Sequence, residues 1–173
     1  GLATEAAVRA AAGWATEAAA RATAGWATEA AARAMEGWAI EAATNPEVLA
    51  FLHQRLERIS GICVADLEDR FIYANELAAR FQRDREIVRE EFQLWVAWWR
   101  DIFLIVQGRG EQITFEGWRN TLSQIAGGLS SSETLDWIER LYESLTALDR
   151  NVIPRLVFES LMLDLPVASQ SSS

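Results

Sequence analysis

From residue 46 onward the apolar positions recur at three- and four-residue intervals, the spacing of one face of an α-helix. Val48, Leu49, Leu52, Leu56 and Ile59 form the first such stripe, and Ser60-Gly61 weakens it near Ile62. Asn45 before it suits an N-cap, Pro46 the first helical turn, and Glu47 the positive helix end. A second stripe from about Asp66 carries Leu67, Phe71, Ala74, Leu77, Ala78 and Phe81. After the polar stretch 82–86 comes a third: Ile87, Val88, Phe92, Leu94, Trp95, Trp98, Trp99, Ile102, Phe103, Ile105 and Val106. Near its end the third is apolar on more than one side, as a central, buried helix is. Gly108-Arg109-Gly110 stops it, and 115–125 reads as a shorter helix closed by Gly127-Gly128.

Ser130-Ser131-Ser132-Glu133 then offers an N-cap with an acid in the first turn. Leu135, Ile138, Leu141, Leu145 and Leu148 line the face that follows, and 150–154 interrupts it at Pro154. A last helix over 155–163 leads to a Ser-rich tail, 167–173, whose composition predicts disorder. The expectation is an all-α helical bundle over 45–166 with short connections.

Upstream of 45 the pattern changes to a repeat. Gly13-Trp14-Ala15-Thr16-Glu17 recurs at Gly25-Trp26, decays at Gly37-Trp38-Ala39-Ile40-Glu41, and has an earlier copy from Gly1 with Leu2 in place of Trp. Ala-rich sequence and the pairs Glu5–Arg9, Glu17–Arg21 and Glu29–Arg33 at i, i+4 favour helix over 1–44. Twelve residues per unit advance an α-helix by about 1200°, a net turn of about 120°. Trp14, Trp26 and Trp38 would therefore point in three directions, and no coiled-coil seam can form. Either a continuous rod of roughly 40 residues, about 60 Å long, or short helices broken at each Ala-Gly-Trp satisfies the pattern. A tolerated duplication and a dedicated sticky surface built on those tryptophans both remain open.

Composition narrows the function. The chain has 173 residues and a net charge of −9, and all sixteen basic residues are arginine. Such an acidic chain is not expected to grip nucleic acid strongly, because counterion release needs clustered positive charge. No uncharged apolar stretch approaches the roughly 20 residues of a membrane span. One cysteine, Cys63, excludes an internal disulfide, suits a cytoplasmic setting and is expected in the core. His53 is the only histidine, so a catalytic triad or a His-based metal site lacks partners. No phosphate-binding loop is present, and acidic groups such as Glu90-Glu91 or Asp66/Glu68/Asp69 read as solvated helix faces. No enzyme activity, cofactor or metal is expected. Eight tryptophans favour packing or assembly instead.

The most specific text is Leu94-Trp95-Val96-Ala97-Trp98-Trp99-Arg100-Asp101-Ile102-Phe103-Leu104. It resembles the Leu-x-x-x-Trp-Trp-Arg-Asp helix in the C-terminal domain of the bacterial DNA polymerase III delta-prime family, part of the replicative clamp loader. In the same order, Leu148-Asp149-Arg150-Asn151-Val152-Ile153-Pro154-Arg155-Leu156 and Leu161-Met162-Leu163-Asp164-Leu165-Pro166 are similar to that family's closing segments. Gly37-Trp38-Ala39-Ile40-Glu41-Ala42-Ala43 with Asn45-Pro46-Glu47 resembles its junction into the C-terminal helices. The resemblance covers about 37–166, and the copies before Gly37 depart from it.

It implies a C-terminal part of such a subunit, a collar domain that packs against other clamp-loader subunits in the ring that loads the sliding clamp. Under it, Trp98, Trp99, Ile102 and Phe103 would anchor the central helix, with Trp98 and Trp99 serving core or interface. Arg100 and Asp101 would form directional ion pairs at a helix or subunit boundary, and Pro154 and Arg155 would set a bend. The alternative is a helical scaffold whose Trp14, Trp26 and Trp38 repeats mediate self-association or bind another protein.

Overall fold

A computed structural model describes residues 44–150 and 152–167. The predicted repeat over 1–43, with Trp14, Trp26 and Trp38, lies outside the described residues, as do Asn151 and the tail from 168. Six α-helices and two short 3₁₀ turns account for the described chain, with no strand among its residues. We number the helices α1 (Pro46–Val64), α2 (Leu67–Arg83), α3 (Arg85–Val106), α4 (Arg119–Ala126), α5 (Ser131–Asp149) and α6 (Pro154–Asp164). The 3₁₀ turns, Gly110–Gln112 and Glu116–Trp118, fill the connection from α3 to α4. The all-α bundle expected from the apolar spacing is what forms.

Local chemistry sets the boundaries. The Asn45 side chain accepts from the Glu47 N–H, that of Asp66 from Asp69 and that of Asp84 from Glu86 and Ile87, so each of the first three helices begins on an N-cap. Ser130 and Glu133 exchange bonds in a capping box at the start of α5. Gly108 ends α3 at φ 71°, the left-handed conformation that suits glycine. There the Gly108 N–H reaches the Ile105 carbonyl and the Arg109 N–H the Leu104 carbonyl, the pair of bonds of a Schellman stop. The predicted helix over 115–125 begins as a 3₁₀ turn and becomes α-helical only at Arg119, which has no capping side chain ahead of it.

Helix α3 is central, touching α1, α2, α4 and α5, while α6 lies mainly along α2 and also meets α5. From Leu94 to Trp99 every α3 residue is buried, so this stretch has no solvent face at all. Its tryptophans interlock with those of other elements: Trp95 and Trp99 lie 6.3 and 5.8 Å from the Trp137 ring of α5. Trp98 meets Trp118 at 5.6 Å and Phe115 at 6.1 Å. Phe92 reaches Phe158 of α6 at 5.9 Å, and one contiguous core joins all six helices. Among the described residues no helix is long and apolar enough to cross a membrane.

Candidate functional site

Polar residues that the helical spacing places on apolar stripes create a polar cluster inside this core. Arg55 falls between Leu52, Leu56 and Ile59 on α1, Tyr73 beside Ala74 and Leu77 on α2, and Glu91 between Val88, Phe92 and Trp95 on α3. The three meet. Arg55 Nε donates to Glu91 Oε2 at 2.9 Å, and the Tyr73 hydroxyl donates to Glu91 Oε1 at 2.8 Å. The Trp95 indole N–H in turn donates to the Tyr73 oxygen at 2.8 Å. Glu91 is therefore not the solvated acid that its neighbour Glu90 suggests. It is 1% exposed, and its charge is balanced by Arg55, which also lies 3.5 Å from Glu90. The correction has a physical cause: residue 91 projects from the face of α3 that α1 and α2 cover, residue 90 from its edge.

Burial pushes the Tyr73 hydroxyl well above its ordinary range, and the Glu91 carboxylate beside it adds to the shift. Both Glu91 oxygens accept hydrogen bonds within the cluster, which joins α1, α2 and α3. A second buried arginine acts similarly. Arg70 donates to the Leu165 carbonyl at 3.1 Å and to the Cys63 carbonyl at 3.2 Å, tying the end of α1 to the chain beyond α6. Cys63 lies in the core as expected, and burial raises its thiol to about 12.

The residues singled out by sequence fall in different places. Trp98 and Trp99 are wholly buried within this chain and present no surface of their own. Asp101 is also inside: its Oδ2 accepts the Thr114 and Phe115 backbone N–H groups at 2.7 and 2.8 Å, and Oδ1 takes Arg100 at 3.0 Å. The Arg100–Asp101 pair thus fixes the connection after α3 to the core, with Arg100 also on the Thr114 hydroxyl at 3.0 Å. Pro154 occupies the first turn of α6, and Arg155 is exposed and pairs with Glu159 at 2.7 Å. His53 is an exposed residue of α1 that lies 5.0 Å from the Trp118 ring and 3.5 Å from Glu57.

Among the described residues the surface carries open grooves, two of which stand out. One, of about 490 Å³, includes the Arg55–Glu91 pair and is lined by Phe51, Gln54, Glu57, Arg58, Arg80 and Ile87 as well. The other, about 570 Å³, runs between Tyr142, Thr146, Arg150 and Val152. Burial raises the Tyr142 hydroxyl to about 12. Among the described residues no group of His, Cys, Asp and Glu side chains is placed to hold a metal ion.

Beyond the grooves, α6 carries an apolar row on its outer side. Ile153, Leu156 and Leu163, followed by Val167, are each more than half exposed. Within the helix, Leu156, Ser160 and Leu163 have the spacing of one stripe, and Ile153 and Val167 flank it in the chain just before and after the helix. The inner stripe of the same helix, Phe158, Leu161 and Met162, is spent on the core. The apolar spacing that predicts a last helix over 155–163 does not by itself separate these two faces. No protein-family model, no curated protein and no solved structure matches the chain.

Proposed function

We propose that this chain is a non-catalytic assembly domain of a bacterial clamp loader, of the delta-prime type, whose work is to hold neighbouring subunits in the ring. The observation that carries the reading is the outer face of α6. A helix already packed on one side presents Leu156 and Leu163 to solvent on the other, with Ile153 just before it and Val167 just beyond it exposed as well, which is the signature of a surface meant to be covered. Both closing motifs of the resemblance, 148–156 and 161–166, fall on this helix and its approach. The Leu94–Leu104 motif supports the same reading from inside, because it builds the rigid centre on which α6 is displayed.

The enclosed Glu91 cluster fits a scaffold better than an active site, since all its groups are used to join helices. The expected partners are protein surfaces of the other clamp-loader subunits, met by apolar contact with Arg155 and Glu159 at the rim. The test is co-expression of the full chain with those subunits. The parent chain should co-elute with them, and Leu156→Glu with Leu163→Glu should be excluded while its unfolding midpoint barely changes. Failure of the parent chain to enter the complex would remove this reading. Concentration-dependent dimers of the parent chain, abolished by the same pair of changes, would favour the self-associating scaffold instead.

A further inference from the structure

The exposed row of α6 is too small to be the whole of an assembly surface. A stable protein interface takes about 800 Å² from each side, on the order of 20 residues, and the row supplies Ile153, Leu156, Leu163 and Val167. A surface that holds a neighbouring subunit in place therefore runs on past the helix. Before Ile153 it turns polar after Val152, where Glu139, Glu143, Thr146 and Arg150 line the α5 groove. Past Leu163 it stays apolar.

Arg70 is the reason. Helices α2 and α6 lie antiparallel, with Phe81 near the end of one against Phe158 near the start of the other at 6.3 Å. At their opposite ends the buried Arg70 guanidinium donates to both the Cys63 and the Leu165 carbonyls. That shared clamp brings the last turn of α1, the first turn of α2 and the residues after α6 to one end of the bundle. Val64 follows Cys63 there, Val167 comes just after Leu165, and Leu67 stands one turn ahead of Arg70 on the same side of α2. Val64 is 64% exposed and Leu67 48%, so the α6 row continues onto two further apolar side chains. Residues 168–173 hold one alanine and otherwise serine and glutamine, and bring no apolar cover of their own.

The exposed charge at this end is mainly acidic. Asp66, Glu68 and Asp69 are all exposed beside Leu67, while the cation of the same turn, Arg70, is spent inside on backbone carbonyls. Arg140 of α5 is neutralised by Asp164 at 3.3 Å. A second copy brought up across a two-fold axis would set the same carboxylates against these. A different protein with basic residues around an apolar centre complements both the patch and its rim.

We infer that the assembly surface of α6 continues over this end of the bundle, across Val64 and Leu67, and that its occupant is a neighbouring subunit whose contact face is apolar at the centre and basic around Asp66, Glu68 and Asp69. The inference rests on the reading of this chain as a clamp-loader assembly domain.

Calorimetric titration of the full chain with the reconstituted remaining clamp-loader subunits tests it. Val64→Ser with Leu67→Ser should weaken binding about tenfold, and Glu68→Gln with Asp69→Asn about threefold, at low salt only. Ile72 is as exposed as Leu67 but lies about 140° further round α2, so Ile72→Ser should bind as the parent chain does. All these changes are at the surface, and an unchanged urea midpoint reports an intact bundle. Parent-like binding by the Val64→Ser, Leu67→Ser variant, while Leu156→Glu with Leu163→Glu is still excluded, overturns the extension and leaves the clamp-loader reading standing. Charge variants that match the parent overturn the basic rim. A parent chain that binds none of the subunits overturns that reading and the inference with it. Concentration-dependent dimers lost in the Val64→Ser, Leu67→Ser variant would assign the patch to a second copy. A 5-fluorotryptophan resonance of Trp14, Trp26 or Trp38 that moves in the same variant of the free chain would assign it to the chain's own repeat, and either result overturns the occupant.

Discussion

Glu91 is enclosed by three helices, and its charge is tolerable only because Arg55 and Tyr73 come with it. Removing one member of a buried, bonded ion pair leaves the other desolvated and unpaired, at a cost of about 3–5 kcal/mol. Glu91→Ala and Arg55→Ala are each expected to lose stability of that order in urea unfolding, and the double variant less than their sum. Additive losses would show that the pair is not coupled. Asp101 gives a pH signature. Burial raises its carboxyl above the ordinary 3.8, while the Phe115 and Thr114 N–H groups and Arg100 pull it back. A carboxyl that holds its proton more tightly when folded contributes stability that is fully present below its unfolded value. That contribution is lost as pH rises through the folded value. The stability difference between the parent chain and Asp101→Asn should therefore shift toward the variant between pH 3 and pH 7, and a flat difference would refute the assignment. The buried charges were detectable in the sequence as Arg55, Arg70 and Glu91 standing on apolar stripes, yet not their pairing. Spacing reports which face a residue is on, and says nothing of what covers that face.

At the scale of the element, the helices end where their caps and breakers place them. Asp66, Asp84 and Ser130 start helices as their chemistry predicts, and the four-residue gap from Asp149 to Pro154 separates α5 from α6. Gly108 makes the α3 stop quantitative. An added Cβ would meet no atom within 4 Å, so only the positive φ penalises a side chain there. Gly108→Ala should cost about 1–2 kcal/mol, measured by thermal or urea unfolding, with Gly61→Ala as an unstrained control. A neutral result would mean that the left-handed stop is not what ends α3. The 3₁₀ start of the fourth helix was not legible, because no capping residue marks it. Its position follows from Asp101 pulling Thr114 and Phe115 inward.

For the whole molecule the relevant fact is a single core. Trp95 and Trp99 share Trp137 with α5, Phe92 shares Phe158 with α6, and Arg70 ties α1 to the residue after α6. Local opening of one helix would expose side chains of several others, so unfolding of the bundle should be cooperative. Far-ultraviolet circular dichroism and near-ultraviolet signals from the buried tryptophans are expected to give coincident transitions, and separated midpoints would show independent subunits of structure. The assembly proposed for α6 belongs to this scale too. Its inner stripe is committed to the core and its outer stripe is left over, a distinction that exists only once the helix has been packed.

The sequence by itself determined the helix class, the approximate limits of six helices and the centrality of α3, since apolar period, caps and breakers act within a few residues of themselves. It also offered the resemblance of four motifs, two of which frame α6. The tertiary structure decided which of two apolar faces on α6 stays exposed, that Asp101 fixes a loop from inside, and that Arg55, Tyr73 and Glu91 are one cluster. Each of these depends on residues far apart in the chain meeting in space, and no local period encodes that meeting.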